Sequence, residues 1–192
     1  LGLQPRMNFA LDQGGAANIS AISIAAMAIE AGQCEVALTC YADNPRSGDR
    51  AVYARSRGDD AAYGWFSTAA GYAMIHQRYL IEHGAKPEHF GAVALACRRH
   101  GAANPNAQLR KPITMDQYLA APWVVEPLRR DDCCLVSDGA AALVIMSERR
   151  ARELGIAKPV AILGFGQGHT AWEVPLRPSL TSTQAKQSAG AA

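Results

Sequence analysis

The sequence predicts an α/β fold, on the strength of three stretches. From Ala16 onward, Ile19, Ile22, Ala26 and Ile29 recur at three- and four-residue steps, and Gly32 closes the run, the pattern of an amphipathic helix with a glycine stop. Val36 to Ala42 is apolar on both alternating faces, as in a central strand of a parallel sheet. Ala140 to Met146 reads as a second buried strand. With 192 residues, 49% of them hydrophobic, the chain suffices for one well-buried domain or part of a larger one.

Taken in order, Met7 to Leu11 reads as a strand running into a turn at Asp12-Gln13-Gly14-Gly15. Strand, helix and the Val36 strand then make a βαβ unit. The helix is rich in alanine and can be packed from several sides. Residues 43–60 mix Arg, Asp, Gly, Asn and Pro without periodicity and read as a solvated excursion. A long helix is expected from about Ala61 to Glu82, ended by Gly84. Pro87 opens the next helix, whose apolar stripe is Phe90, Val93, Ala94 and Cys97, continuing to His100 until Asn104-Pro105-Asn106 breaks it. Thr114 caps a short helix through Leu119, Pro122 ends it, and Trp123 to Leu128 runs extended. Ser147 caps Glu148 to Leu154, with Gly155 as the stop. Pro159 opens a strand over Val160 to Gly164, and the tail from Ser179 begins a further helix.

The formal net charge is +2 without blocks of like charge, which gives no electrostatic footprint for nucleic acid or anionic lipid. No apolar run reaches membrane-spanning length, and no membrane association is expected. The five cysteines (Cys34, Cys40, Cys97, Cys133, Cys134) lack metal-ligand spacing. They suggest reduced thiols and a cytoplasmic location, with no metal.

A resemblance now joins this reading. Gly14-Gly15-Ala16 through Leu38 resembles the nucleophile-bearing helix and following strand of thiolases. More specific are Lys111-Pro112-Ile113-Thr114 with Asp116 and Tyr118-Leu119-Ala120, then Pro127-Leu128, then Asp132 through Ala142. With His100 and Asn104-Pro105-Asn106-Ala107, this succession resembles the sterol-carrier-protein or lipid-transfer-protein branch of the thiolase superfamily. The resemblance implies a layered fold of βαβ units around a mixed sheet with a buried central helix. It implies an N-terminal thiolase-like domain over 1–178, lacking its first strand and helix, with a loop excursion over about 43–130. Residues 179–192 would then start a second, C-terminal domain.

In that family a cysteine at the head of the central helix attacks an acyl-CoA thioester, the helix N-terminus favouring the thiolate. The equivalent position here is Gly15, which has no nucleophile, so no catalytic residue is assigned within these residues. Gly14, Gly15 and Ala16 can still offer backbone N–H groups where a thioester oxygen sits, beside the simpler reading that the glycines permit a tight turn. Asn18 and Ser20 either line that site or cap the helix locally. Ser137-Asp138-Gly139 reads as an Asx-type turn, and the resemblance places it at the floor of the acyl-CoA site. By the same resemblance His100 and Asn104 lie near the CoA tunnel.

Core packing is the reading for Cys34, Cys40 and Cys97, and is favoured over redox or acyl-carrying chemistry for Cys133 and Cys134. His76, His83 and His89 read as surface residues, and His169 is a weak site candidate. The loop Gly164, Gly166, Gly168 departs from the dinucleotide fingerprint.

The resemblance thus implies an acyl-CoA enzyme of acetyl-CoA acetyltransferase or lipid-transfer type. It does not depend on a cysteine, and its range includes a retro-aldol lyase on a coenzyme A thioester, with no covalently bound cofactor. It also implies a homodimer through the Glu35 to Ala42 strand and a small OB-fold partner subunit. The alternative is a non-catalytic acyl-CoA or lipid-binding scaffold subunit.

Overall fold

A computed structural model describes residues 2–49, 58–171 and 174–192. The chain is α/β, with helices and small antiparallel sheets arranged in two compact units. The first unit contains residues 1–44, 138–168 and 184–192, and the second contains 45–137 and 169–183.

In the first unit, helix α1 (Ala17–Glu30) leads through a turn into strand β1 (Val36–Asp43). Gly32 sits at φ +68°, the left-handed backbone that lets the chain leave the helix. Strand β1 pairs with β4 (Gly139–Met146) in antiparallel register, from Val36 opposite Met146 to Asp43 opposite Gly139. This corrects the expected parallel strand and its βαβ unit. Apolarity on both faces reports how a strand is covered, not the direction of its neighbour. Helix α1 covers this two-stranded sheet with small residues, burying Ser20, Ser23 and Ala25, and the Ser23 hydroxyl donates back to the Ile19 carbonyl at 3.1 Å.

Neither α1 nor β4 is buried as expected. Ile19 is 59% exposed, and β4 is exposed from Gly139 to Val144. Among the described residues the sheet has two strands, so only part of the helix surface finds a partner. The expected strands at Met7–Leu11 and Val160–Gly164 do not form. Both segments are irregular and largely exposed, because an apolar run becomes a strand only where another edge accepts its hydrogen bonds. Helix α5 (Glu148–Glu153) is capped by Ser147, whose Oγ accepts from the Arg150 N–H, and Gly155 stops it at φ +68°. The last helix, α6 (Ala185–Ala191), lies against the glycine-rich loop: a Cβ at Gly166 would collide with the Ser188 carbonyl oxygen. These glycines therefore serve close backbone approach.

In the second unit the long helix expected from Ala61 is divided. A 3-10 turn (Gly58–Tyr63) ends at Gly64, and α2 (Thr68–His83) starts afresh from Ser67, whose Oγ accepts from the Ala70 N–H. Of the expected excursion, residues 50–57 lie outside the described residues. Helix α3 (Pro87–Ala103) begins at its proline as expected. Its stripe is shifted: Gly91 and Ala94 are buried, whereas Val93 and Cys97 are exposed.

Helix α4 (Met115–Leu119) has a full capping box, with Thr114 Oγ1 accepting from the Gln117 N–H and Gln117 Oε1 accepting from the Thr114 N–H. It places Tyr118, only 1% exposed, against Gly91. The extended run resolves into β2 (Trp123–Val125) and β3 (Leu128–Arg129), an antiparallel pair turning at a cis Glu126-Pro127 bond.

Candidate functional site

In the first unit the site is built at one end of α1. The helix runs into β1 through a short turn, so its N-terminal end lies beside the C-terminal end of β1 and the start of β4. Two depressions open there. Ala42, Asp43, Asn44, Asp138, Gly139 and Ala140 line the first. The second, about 110 Å³, lies between helix and sheet, and Asn18, Ile22, Thr39, Tyr41 and Leu143 are among its walls. Asn18, Asp138 and Gly139, three of the expected site residues, are thus on these walls.

Gly15 immediately precedes Ala16, the N-cap of α1, so the position equated with the thiolase nucleophile does head the helix. The two glycines differ. Gly14 is at φ +56°, a conformation that favours glycine. Gly15 has an ordinary backbone, and nothing lies within 4 Å of where its Cβ would stand, so a side chain is physically admissible there. The turn itself uses two of the amides considered as oxyanion donors. Gly14 N–H donates to Asp12 Oδ1 at 3.2 Å, and Ala16 N–H donates to the Gln13 carbonyl at 3.3 Å. Ser20 neither caps nor lines the opening, being buried in the helix.

Two polar residues at this end were not singled out in the sequence. Tyr41 O–H donates to Asp43 Oδ2 at 3.1 Å, and Asp43 Oδ1 accepts from the Asn44 N–H at 2.8 Å. The hydrogen bond to Asp43, helped by that carboxylate's charge, holds the Tyr41 phenol above its ordinary pKa. In the sequence Tyr41 is indistinguishable from any strand-forming aromatic.

In the second unit His100 lies exposed in the last turn of α3, and Asn104 ends that helix with its Oδ1 accepting from the Asn106 N–H at 3.0 Å. Gln108 Nε2 donates to Ser137 Oγ at 3.0 Å, tying the loop after α3 to Ser137. Ser137 and Asp138 lead directly into β4, which opens at Gly139.

The buried chemistry of this unit was also missed. Tyr118 O–H donates to both oxygens of Asp132 (2.9 and 3.1 Å), and Asp132 Oδ2 accepts from the Arg129 N–H at 2.7 Å. Arg129 in turn donates to the Ala121 carbonyl at 3.1 Å and lies 3.9 Å over the Trp123 ring. Burial, then the Asp132 hydrogen bond, pushes the Tyr118 phenol well above its ordinary range. Such a tyrosine is a fixed donor that braces α4 against the Arg129–Asp132 turn.

His76, expected at the surface, is only 6% exposed, with its ring 3.6 Å from that of Phe90. Burial lowers its pKa against the opposing pull of Asp132. His83 is exposed as expected, and exposed His89 accepts the Lys86 N–H on Nδ1. Cys40, Cys97 and Cys134 are exposed and Cys34 is half-buried, so core packing does not account for these thiols. Burial and the Asp132 charge raise the Cys133 thiol, which keeps it protonated and poorly nucleophilic. Among the described residues no group of three His, Cys, Asp or Glu could hold a metal ion, and no helix is long and apolar enough to cross a membrane.

No protein-family profile matches the chain. It is 40% identical over 168 residues to a steroid side-chain-cleaving aldolase of Thermomonospora curvata, covering 81% of this chain and 43% of the relative. It is 39% identical over 168 residues to the 17-hydroxy-3-oxo-4-pregnene-20-carboxyl-CoA lyase of Mycobacterium tuberculosis, with the same coverage. Among solved structures, an Ltp2-ChsH2(DUF35) aldolase superposes with a TM-score of 0.71 at 38% identity, over 88% of this chain and 46% of that one. The chain spans less than half the length of the curated relatives it matches most fully. Shorter matches reach a benzoylsuccinyl-CoA thiolase subunit and sterol carrier protein 2. The homologues of this α/β chain are therefore steroid side-chain-cleaving aldolases and proteins related to thiolases and sterol carrier protein 2.

Proposed function

We propose that this chain is part of a thiolase-like lyase that cleaves a carbon–carbon bond in a β-hydroxyacyl-CoA thioester by a retro-aldol reaction. In that reaction a base takes the β-hydroxyl proton and the Cα–Cβ bond breaks. Its electron pair passes into the thioester carbonyl as an enolate, which is reprotonated at Cα. The products are a carbonyl compound and a shorter acyl-CoA. No step needs a covalent acyl-enzyme, and the observation carrying this reading is Gly15 at the head of α1. The position has room for a side chain yet carries none. Similarity to two aldolase-type lyases over four fifths of the chain supports the same choice over thiolysis.

In this reading the polar groups around the α1 end, Asn18, Tyr41 and the Gly15 amide, face the thioester, while the general base belongs to residues outside this chain's span. The division into an N-terminal domain over 1–178 and the start of a second from 179 is part of the same proposal. So are pairing of two copies through the Glu35 to Ala42 strand and association with a small partner subunit. The similar Ltp2-ChsH2(DUF35) aldolase carries two components in its name, which supports the partner.

The test is product analysis with the full-length enzyme and its partner. Incubation with a β-hydroxyacyl-CoA should give a ketone or aldehyde and a shorter acyl-CoA. Incubation with acetoacetyl-CoA and free CoA should give no acetyl-CoA, and robust thiolysis, or an acyl adduct trapped on any cysteine, would sink the proposal. Binding of thioesters without turnover of either kind supports a scaffold instead.

A further inference from the structure

Along β1 successive side chains alternate, so Thr39, Tyr41 and Asp43 share one face while Cys40 and Ala42 share the other. Thr39 and Tyr41 line the depression between α1 and the sheet together with Asn18 from the first turn of the helix, so theirs is the helix-side face. In the paired strand, Ala142, Ala141, Ala140 and Gly139 stand opposite Cys40, Tyr41, Ala42 and Asp43. A Cβ on Gly139 would meet nothing within 4 Å. The exposed Tyr41 ring therefore rises from a floor of small residues, and its hydroxyl donates to Asp43 Oδ2 at 3.1 Å.

A hydrogen bond between strand residues two apart steadies a strand end, and the Asn44 N–H on Asp43 Oδ1 fits that simple role. Stability alone does not call for it, because water satisfies an exposed phenol nearly as well. The carboxylate does something water does not: it makes the phenolate costly, so Tyr41 keeps its proton above the ordinary range. A retro-aldol reaction uses two proton-transfer groups, a base at the β-hydroxyl and an acid at Cα. Cα is one bond from the thioester carbonyl carbon. If that carbonyl faces Asn18 and the Gly15 amide, the acid has to stand at the same end of α1. Of the side chains on the walls that Asn18 shares, Tyr41 and Cys40 are the titratable ones, and Cys40 belongs to the opposite face of the strand.

We propose that Tyr41 is the general acid that protonates the enolate at Cα, with Asp43 as its positioning residue. This rests on the retro-aldol reading above. Rotation about the phenol C–O bond swings the hydrogen from Asp43 towards the substrate. In the step, the Tyr41 O–H bond breaks and its proton passes to Cα. The C=C electron pair of the enolate forms the new C–H bond, and the oxygen lone pair restores the thioester carbonyl. The phenolate then takes a proton back from water.

The experiment uses the full-length enzyme with its partner subunit and, as probe, a β-hydroxyacyl-CoA bearing an α-methyl group, cleaved in deuterium oxide. Wild type should release propionyl-CoA deuterated at Cα as a single enantiomer, because the acid delivers from one face. Tyr41→Phe, which keeps the ring, should lower kcat by about a hundredfold or more with little change in KM. Its product should be racemic at Cα, since water then supplies the deuteron from either side. Asp43→Asn removes the charge that holds the proton on Tyr41, so the alkaline limb of its kcat profile should move to lower pH. A single enantiomer from Tyr41→Phe, at whatever rate, overturns the assignment while leaving the retro-aldol reading standing. An alkaline limb unmoved in Asp43→Asn also overturns it, and that profile decides alone if Tyr41→Phe does not fold. Wild type that cleaves no β-hydroxyacyl-CoA overturns the retro-aldol reading and this assignment with it.

Discussion

Gly91→Ala is expected to destabilise the second unit although alanine is the better helix former. A Cβ on Gly91 would stand 2.6 Å from Met115 Sδ, 2.8 Å from Tyr118 Cδ1 and 3.0 Å from Tyr118 Cε1. The methionine contact is cheap, because a thioether at the end of a flexible chain swings aside. The tyrosine contact is not. Tyr118 is 1% exposed, and its hydroxyl is tied to both oxygens of Asp132, so its ring has no room to retreat without lengthening those bonds. Overpacking of this kind costs about 1–3 kcal/mol. Replacing glycine by alanine inside a helix returns about 0.5–1 kcal/mol. The net expectation is a loss of up to about 2.5 kcal/mol, centred on about 1 kcal/mol, read as a lower urea midpoint by a probe in α3 or α4. Adding Met115→Ala should not restore the midpoint, since it leaves the ring in place. A variant as stable as wild type would contradict the claim that Tyr118 is fixed by Asp132.

Other expectations concern separate parts of the fold. Gly14→Ala should cost about 1–2 kcal/mol by thermal unfolding, because φ there is +56°, whereas Gly15→Cys should melt like wild type, with nothing within 4 Å of its Cβ. Thr114→Ala removes the side chain that caps α4 and should lower stability by about 1 kcal/mol in a denaturant titration. His76 has a lowered pKa when folded, so below about pH 6.5 the unfolded chain binds more protons than the native one, and stability should fall as the pH drops. Urea midpoints between about pH 7.5 and 5.5 should show that slope, and His76→Gln should flatten it; a slope that survives the substitution assigns it to other groups.

The candidate site was legible where its residues belong to local patterns. Gly15 could be placed at the helix head because the helix announced itself through Ile19, Ile22 and Ile29 and its Gly32 stop. Asp138 and Gly139 stood out as the polar lead into an apolar run. Tyr41 and Asp43 did not, since each residue type is ordinary on its own and only their hydrogen bond makes them a pair. The Tyr118–Asp132–Arg129 cluster escaped for the same reason.

Sequence sufficed wherever a few neighbouring residues hold the answer: the proline start of α3, the Thr114 cap of α4 and the Ser147 cap of α5. Hydrogen bonds within four residues form whatever the rest of the chain does. Long-range packing, by contrast, made β1 run antiparallel to β4, left Val160 to Gly164 irregular and buried His76. A strand's direction depends on a partner about a hundred positions away along the chain, and a histidine's burial depends on the ring another helix lays upon it. Neither quantity is written in the periodicity of the segment that displays it.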